Sequence, residues 1–317
     1  MKISLHHIHK SYGNKSVIRD VSLIIDDASF TTLLGSSGCG KTTLLRIISG
    51  LECPDSGEVY FDDRCMFSQS KGINISPEKR GLGFVFQDFS LWPHMTAFEN
   101  VAFGLRATGH TENLEEKVTT ALHAVQLDDK ADCYPHQLSG GQQQRVSFAR
   151  AIVIEPECIL FDEPLSALDA LLRERMRIEL RELVARLNIT AVFVTHDQTE
   201  AMSMSDKIAI MENGHIEQYD VPEIIYNSPK TPFVAHFIGL SNWIDEHHMF
   251  RPEKSLSRTK LQYHTFPAQV LSSQFLGNTY QIHLKYHDEH WTCLSPYKMA
   301  SGKMISLCID NADIIQV

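Results

Sequence analysis

The feature that most limits how this chain can fold is one glycine-rich segment, Gly35-Ser36-Ser37-Gly38-Cys39-Gly40-Lys41-Thr42-Thr43. An apolar, β-branched run at residues 30–34 precedes it, and residues 43–49 after it have the pattern of a helix that ends near Gly50. Glycines let backbone N–H groups turn toward a ligand, and a helix N-terminus adds positive potential. A strand, such a loop and a helix in this order predict a site for nucleotide phosphates.

Two side chains of this segment have specific expected roles. Lys41 is expected to reach the β- and γ-phosphates of ATP, and the Thr42 hydroxyl is expected to ligate Mg²⁺. The whole segment from Gly35 to Thr43 is therefore the predicted ATP-binding loop, with ATP and Mg²⁺ as the ligands.

A second acidic site follows a short apolar run at residues 158–161. Such a run is typical of a central parallel strand, and ligands of doubly wound sheets lie at the C-terminal ends of the strands. Asp162 is then placed to complete the Mg²⁺ shell, and its neighbour Glu163 to orient or deprotonate an attacking water. The sequence predicts that both carboxylates lie beside the phosphate loop.

A third motif is Leu138-Ser139-Gly140-Gly141-Gln142, which leads into an apparent helix from residue 142 to 154. A hydroxyl and open N–H groups at a helix start form a second phosphate-binding cap. With this motif added, the chain resembles the ATP-binding cassette (ABC) transporter ATPases. The resemblance covers residues 1–240 and implies that Ser139, Gly140, Gly141 and Gln142 act on the ATP held by a second copy of the chain.

The other motifs of that family occur in the expected order, and the resemblance assigns each a role. Tyr12 matches the aromatic residue that stacks on adenine. Gln87 matches the glutamine that senses the metal and the attacking water. Asp169 matches the D-loop, and His196 matches the switch histidine near the γ-phosphate. Lys41, Gln87, Glu163 and His196 are thus the expected catalytic residues, with Thr42, Gln87 and Asp162 around Mg²⁺.

The expected fold is an α/β P-loop NTPase core with an antiparallel β subdomain and a helical subdomain at about residues 97–150. Strands alternate with helical patterns from 158 to 217, which indicates a parallel sheet. After Gly239 short strand-like runs with turn signals at Gly277-Asn278 and Ser301-Gly302 replace the helical patterns. They predict a small all-β, OB-like domain at residues 240–317, similar to the TOBE domain of importer ATPases, after an ABC domain at residues 1–239.

Composition limits the possible partners. With 43% hydrophobic and 21% charged residues, the chain is typical of a globular protein, and its net charge of −10 argues against a nucleic-acid partner. The sequence has no apolar run long enough to span a membrane. Its seven cysteines form no C-x-x-C pair, which favours free thiols in a reducing cytoplasm.

The segment after Gln87, residues 88–95, combines Phe89, Leu91 and Trp92 with Pro93. In the family this region receives a coupling helix from a membrane subunit. The implied partners are two transmembrane permease subunits, with a periplasmic or lipoprotein solute-binding protein reached through the complex. The implied location is peripheral, on the cytoplasmic face of the cell membrane.

Two questions stay open at this stage. The leading interpretation is the ATPase of a bacterial importer; alternatives are a soluble ABC protein of translation or DNA repair and an exporter subunit. Residues 75–87 and 91–96 look most like ferric-iron importers, while phosphonate, spermidine/putrescine, thiamine and sugar importers share much of this pattern. The cargo need not touch this chain, so its sequence has no reason to encode the cargo.

Overall fold

The computed structural model describes residues 1–109, 111–255 and 263–317. The chain divides into two compact units, Met1–Pro222 and Glu223–Val317. The sequence analysis placed the end of the ABC domain at residue 239, and that domain boundary stays a prediction.

The strands are β1 (Ile3–Tyr12), β2 (Lys15–Ile25), β3 (Phe30–Gly35), β4 (Ser56–Phe61), β5 (Arg64–Ser68), β6 (Ile73–Asn74), β7 (Leu82–Val85), β8 (Cys158–Asp162), β9 (Thr190–Thr195), β10 (Lys207–Glu212), β11 (His215–Asp220), β12 (Asn242–Trp243), β13 (His248–Phe250), β14 (Tyr263–Phe275), β15 (Tyr280–Tyr286), β16 (Glu289–Ser295), β17 (Met304–Asp310) and β18 (Ile315–Gln316). The α-helices are α1 (Lys41–Ser49), α2 (Ala97–Ala107), α3 (Leu114–Ala124), α4 (Gly140–Ile152), α5 (Ala170–Leu187), α6 (Gln198–Met204), α7 (Pro222–Asn227) and α8 (Pro232–Phe237). Short 3-10 turns occupy Pro77–Lys79, Asp128–Lys130, Pro135–Gln137, Pro252–Lys254 and Asn311–Asp313.

The first unit is built around a six-stranded sheet of order β11-β10-β3-β9-β8-β7. Strands β10, β3, β9, β8 and β7 are parallel, and β11 joins the edge antiparallel. Every residue of β8 is buried, because Ile159 and Phe161 enter one core and Cys158 and Leu160 enter the other. Burial on both faces explains the continuous apolar run of this strand.

An antiparallel sheet of order β2-β1-β4-β5-β6 closes one of these cores. Alternate residues of β1, among them Ile3 and Leu5, pack with Leu44 and Ile48 of α1. The structure thus confirms the antiparallel subdomain expected from the short strands near the N-terminus.

Helices α2, α3 and α4 cover the other core and confirm the helical subdomain. Val101 of α2 and Val146 of α4 share this core with Phe161 of β8. Helix α4 starts at Gly140, two residues before the predicted start, because the Ser139 side chain accepts a hydrogen bond from the Gln142 N–H and caps the helix there.

The second unit opens with helical turns and continues as two antiparallel sheets, of order β12-β13-β18 and β16-β15-β14-β17. Its core centres on Trp291, which is 1% exposed and donates its indole N–H to the Trp243 carbonyl over 2.9 Å. The Arg251 guanidinium is fully enclosed and donates to the Tyr226, Ala235 and Leu240 carbonyls. A C-terminal β-sheet domain is therefore confirmed.

Within the described ranges, no helix has both the length and the apolar character that crossing a membrane requires.

Candidate nucleotide site

The phosphate loop joins β3 to α1 and needs glycine at two positions. A Cβ at Gly35 would lie 2.3 Å from the Met211 carbonyl oxygen, in the adjacent strand β10. Gly40 has a φ of 109°, and a Cβ there would lie 2.6 Å from Ile18 Cδ1. Crowding at the first position and crowding with positive φ at the second exclude larger residues.

Lys41 lies within the loop and is 5% exposed. Its Nζ donates to the carbonyls of Gly35 and Ser36 over 2.8 and 2.9 Å. The ammonium group is therefore fixed by the curve of the loop, where neutral carbonyls leave its charge available to an anion.

Thr42 and Asp162 bring the loop and the end of β8 together. The Thr42 hydroxyl donates to Asp162 Oδ1 over 2.9 Å, and Arg46 lies 3.9 Å from Oδ2. Burial raises the pKa of the Asp162 carboxyl, against the lowering effect of the Thr42 hydrogen bond. The pair offers the hard oxygen donors that Mg²⁺ prefers.

Glu163 and His196 form a second pair at the same edge of the sheet. His196 Nδ1 lies 3.1 Å from Glu163 Oε2. Glu163 has a φ of 46°, and its N–H donates to the Val194 carbonyl of β9 over 3.1 Å. Since an ionised carboxylate only accepts, Nδ1 is the donor in this contact and Nε2 is left for another group.

The turn that carries His196 is fixed from behind. The Thr195 hydroxyl donates to Glu200 Oε2 over 2.5 Å and accepts from the Asp197 N–H over 3.0 Å. Asp197 in turn caps α6 by accepting from the N–H groups of Thr199 and Glu200. Burial raises the pKa of the Glu200 carboxyl. These contacts fix the backbone turn that carries the His196 side chain.

One cavity, about 270 Å³ in volume, combines several predicted ligand residues. It is lined by Tyr12, Lys15, Val17, Ser37, Gly38, Gly40, Lys41, Thr42, Thr43 and Glu163. Tyr12 is 48% exposed, and Lys10 Nζ lies 5.0 Å from the centre of its ring. An exposed aromatic face, a phosphate loop and a carboxylate thus share one concave site.

Gln87 and Asp169 are among the predicted residues that do not line this cavity. Gln87 is exposed and follows β7, which runs parallel to β8 and ends at the same edge. Asp169 is also exposed and caps α5 by accepting from the Leu172 N–H over 3.0 Å. Gln87 thus lies at the edge of the sheet where β8 ends, and Asp169 has a capping contact in α5.

The start of α4 is capped by residues of its own chain. The Gln142 N–H donates to Ser139 Oγ over 3.4 Å, and Gln142 Oε1 accepts from the Ser139 N–H over 2.9 Å. Ser139 is exposed. Gly141 is buried, and a Cβ there would lie 2.9 Å from Leu172 Cδ1, which is too close for a larger residue. None of these residues lines the cavity described above.

Contacts of two arginines, the buried Arg80 and the half-buried Arg173, lie near the site and were missed by the sequence analysis. Arg80 is 4% exposed and donates to the Ile47 and Ile48 carbonyls at the end of α1. Burial lowers the pKa of the Arg80 guanidinium to about 10. Arg173 donates to the Leu168 carbonyl over 3.0 Å and lies 3.8 Å from Asp197, so it connects the start of α5 with the His196 turn. The contacts of Arg80 with α1 and of Arg173 with Asp197 join residues distant in sequence, and no local pattern marks them.

Comparison with known proteins gives one consistent result. The family model described as ABC transporter matches residues 18–166. The sulfate/thiosulfate import ATP-binding protein CysA of Mannheimia succiniciproducens is 41% identical over 313 residues, which are 96% of this chain and 84% of that protein. The spermidine/putrescine import ATP-binding protein PotA of Legionella pneumophila is 48% identical over 244 residues, which are 77% of this chain and 65% of that protein.

A solved structure agrees with the sequence relatives. The dimeric ATP-binding cassette MJ0796 bound to ADP and Pi matches with a TM-score of 0.60 and 33% identity, over 69% of this chain and 98% of that chain. The fold, the phosphate loop and these relatives lead to the same assignment. The chain belongs to the ABC transporter family, as an ATP-binding subunit of the bacterial importer type and an ATPase coupled to transport.

Proposed function

We propose that two copies of this chain close over two ATP molecules and that their hydrolysis drives a bacterial importer. The observation that carries this proposal is the shared edge of the sheet. There the Thr42–Asp162 pair and the Glu163–His196 pair flank the loop that fixes Lys41. Tyr12 and Glu163 line one cavity with that loop. This arrangement suits a nucleotide whose adenine contacts Tyr12 and whose phosphates lie in the loop, with an attacking water beside Glu163.

Thr42 and Asp162 are the residues that would hold Mg²⁺, with Gln87 approaching from the end of β7. In the described residues, no group of three or more His, Cys, Asp or Glu side chains is arranged as a metal cage. This fits a metal held by few protein oxygens together with substrate phosphates. When bound, Mg²⁺ neutralises charge that develops on the phosphate oxygens.

Hydrolysis requires a positioned water, and Glu163 is the proposed general base. His196 holds the Glu163 carboxylate through Nδ1, so Nε2 is the atom that faces the γ-phosphate. While both contacts last, His196 can donate to the phosphate only as the imidazolium, because neutral imidazole carries a single N–H. Lys41 stabilises the negative charge of the β- and γ-phosphates.

The second copy supplies the missing phosphate cap. Ser139 and the backbone N–H groups at the start of α4 would reach the nucleotide bound by the partner. Two observations support this arrangement: the signature residues lie outside the cavity of their own chain, and the solved cassette MJ0796 is described as dimeric. Removal of the γ-phosphate would then release the two copies from each other.

The membrane partners are proposed from the family and from the relatives' roles in import. Residues 88–95 would receive a coupling helix from one of two permease subunits, and a solute-binding protein would deliver the cargo. The chain would then lie at the cytoplasmic face of the membrane. A soluble, non-transport ABC ATPase is the second candidate, and the import ATP-binding relatives favour the first.

The cargo needs a different ranking from the one the sequence suggested. The relatives reported above act in sulfate/thiosulfate and spermidine/putrescine import, and they do not support ferric iron as the leading choice. We propose one of these two cargo classes. The spermidine/putrescine relative has the higher sequence identity, over 77% of the chain, whereas the sulfate/thiosulfate relative aligns over 96% of the chain.

The decisive experiment measures ATP hydrolysis by the purified chain as its concentration is varied, with light scattering to report the oligomeric state. A reaction that needs two copies should show activity per chain that rises with concentration. Activity strictly proportional to concentration, in a chain that stays single, would refute the paired mechanism. Cellular uptake of labelled spermidine, putrescine, sulfate, thiosulfate and ferric iron, with a Glu163→Gln strain as control, would identify the cargo.

A further inference from the structure

The segment after Gln87 has an unfavourable backbone. Phe89 and Ser90 are consecutive non-glycine residues with φ of 60° and 47°. Such left-handed conformations persist only where surrounding contacts enforce them. Something outside the segment must therefore hold these two residues.

Arg150, near the end of α4, supplies that contact. Its two terminal nitrogens donate to the Ser90 carbonyl over 2.6 Å and to the Phe89 carbonyl over 2.9 Å. The guanidinium also lies 5.3 Å from the centre of the Trp92 ring. Burial lowers the pKa of Arg150, and both main partners are neutral carbonyls. A planar guanidinium suits this fork of two acceptors, and a lysine ammonium does not.

The far end of the segment is held by a different helix. Asn100 of α2 is fully buried; its side-chain oxygen accepts from the Trp92 N–H, and its amide donates to the Met95 and Thr96 carbonyls. Trp92 also packs on Phe103, with ring centres 4.1 Å apart. The segment is thus fixed to α2 at one end and to α4 at the other.

Helix α4 connects this contact to the signature motif. Ser139 caps its first turn, and Arg150 lies eleven residues later in one continuous helix. At about 1.5 Å per residue the two positions are roughly 16 Å apart along the axis. A continuous helix moves as a rigid element, so a displacement of its start also moves the guanidinium.

We propose that Arg150 is a positioning residue that couples engagement of the signature motif to the placement of Gln87. It fixes the backbone two and three residues after Gln87, and it moves with the helix that caps the partner's nucleotide. This inference rests on the proposed function, because it assumes that the start of α4 meets a nucleotide held by a second copy.

The test compares Arg150→Met and Arg150→Lys with wild type and with Arg145→Met. Arg145 is a matched control on the same helix, since it pairs instead with Glu179 of α5 at 2.6 Å. In the full-length chain, kcat and KM for Mg-ATP are measured, together with the ATP-induced change in tryptophan emission. A Trp92→Phe variant identifies the part of that change that belongs to Trp92.

We expect Arg150→Met to lower kcat by about 10- to 100-fold, since small displacements of reacting groups have effects of this size. KM should stay within about threefold of wild type, because the phosphate loop is untouched. The Trp92 emission change should disappear in Arg150→Met, shrink in Arg150→Lys and remain in Arg145→Met. Thermal unfolding checks that each variant is folded, and Arg150→Lys decides the question if Arg150→Met does not fold.

An Arg150→Met variant with wild-type kcat and a wild-type emission change would overturn the inference alone. Equal losses in Arg145→Met and Arg150→Met would also overturn it, because the integrity of α4 would then explain both. A wild-type chain that does not hydrolyse ATP would remove the proposed function and this inference together.

Discussion

Two helix starts in this chain are proposed phosphate sites, and they differ in how their backbone N–H groups are capped. Helix α1 begins after Gly40, which has no side chain to cap it, and its Lys41 donates to loop carbonyls. Helix α4 begins with a capping box in which Ser139 and Gln142 bond each other reciprocally. The first start is shaped for a ligand, and the second is stable as it stands.

This difference corresponds to the order of events in the proposed mechanism. A loop with uncapped N–H groups beside a buried ammonium can bind a nucleotide within one chain. The Ser139 hydroxyl accepts from the Gln142 N–H within its own chain, and its O–H can still donate to a phosphate that a partner presents. The 3.4 Å length of the Ser139 bond to the Gln142 N–H marks it as the weaker of the two capping contacts.

The largest expected effect concerns the carboxylate beside the first start. Glu163→Gln should lower turnover by about 10²- to 10⁴-fold, the usual range for a lost general base. The variant should still bind ATP and pair, because Lys41, Thr42 and Asp162 are unchanged. Steady-state hydrolysis and nucleotide titration measure the two properties. Full turnover by Glu163→Gln would exclude Glu163 as the base.

The second prediction separates the two starts. Ser139→Asp should keep α4 stable, since aspartate is a good N-cap, but its charge should repel the partner's phosphates. Ser139→Arg should block the same contact by its bulk. Both should lower turnover by about 10²- to 10³-fold, as for a lost oxyanion donor, with ATP binding to the single chain unchanged. Normal turnover in either variant would contradict the proposed contact in trans.

A smaller effect tests the claim that the second start is stable by itself. Ser139→Ala removes the acceptor for the Gln142 N–H and should lower the free energy of unfolding of the nucleotide-free protein by about 1 kcal/mol. The corresponding fall in Tm is roughly 2–4 °C for a unit of this size. Ser139→Asp serves as the control and should unfold near the wild-type temperature. A Ser139→Ala variant as stable as wild type would show that the capping box contributes nothing.

The motif at each helix start could be recognised from sequence, because each is a local pattern of a few residues. The phosphate loop and the carboxylates at the end of β8 needed only short spacings, whereas the capping box at Ser139, which starts α4 two residues before the predicted position, was not foreseen. The supporting arginines could not be predicted, because Arg80 bonds carbonyls more than thirty residues away and Arg150 bonds a segment sixty residues away. One signal was available: Arg150 stands in the otherwise apolar run Phe148 to Ile152, where a charge needs partners. The cargo left no such signal.

The smallest expected effect concerns Asp162, the buried carboxylate that accepts from Thr42 in the first turn of α1. Burial raises the pKa of Asp162, so the folded protein binds this proton more tightly than the unfolded chain. The protonated Asp162 carboxyl stabilises the fold fully below the ordinary pKa of aspartate, and this stabilisation is lost as the pH rises through the raised pKa of the folded protein. Near neutral pH the buried carboxylate therefore destabilises the nucleotide-free protein, and Asp162→Asn should raise its Tm by roughly 1–2 °C. The gain in Tm should vanish as the pH falls through the raised pKa to the ordinary pKa of aspartate, while the variant should hydrolyse ATP more slowly at every pH.

Asp169→Asn is the control for Asp162→Asn, because Asp169 is an exposed helix cap that asparagine can preserve. A gain in Tm that does not depend on pH would mean that the carboxylate of Asp162 is not the source of the destabilisation.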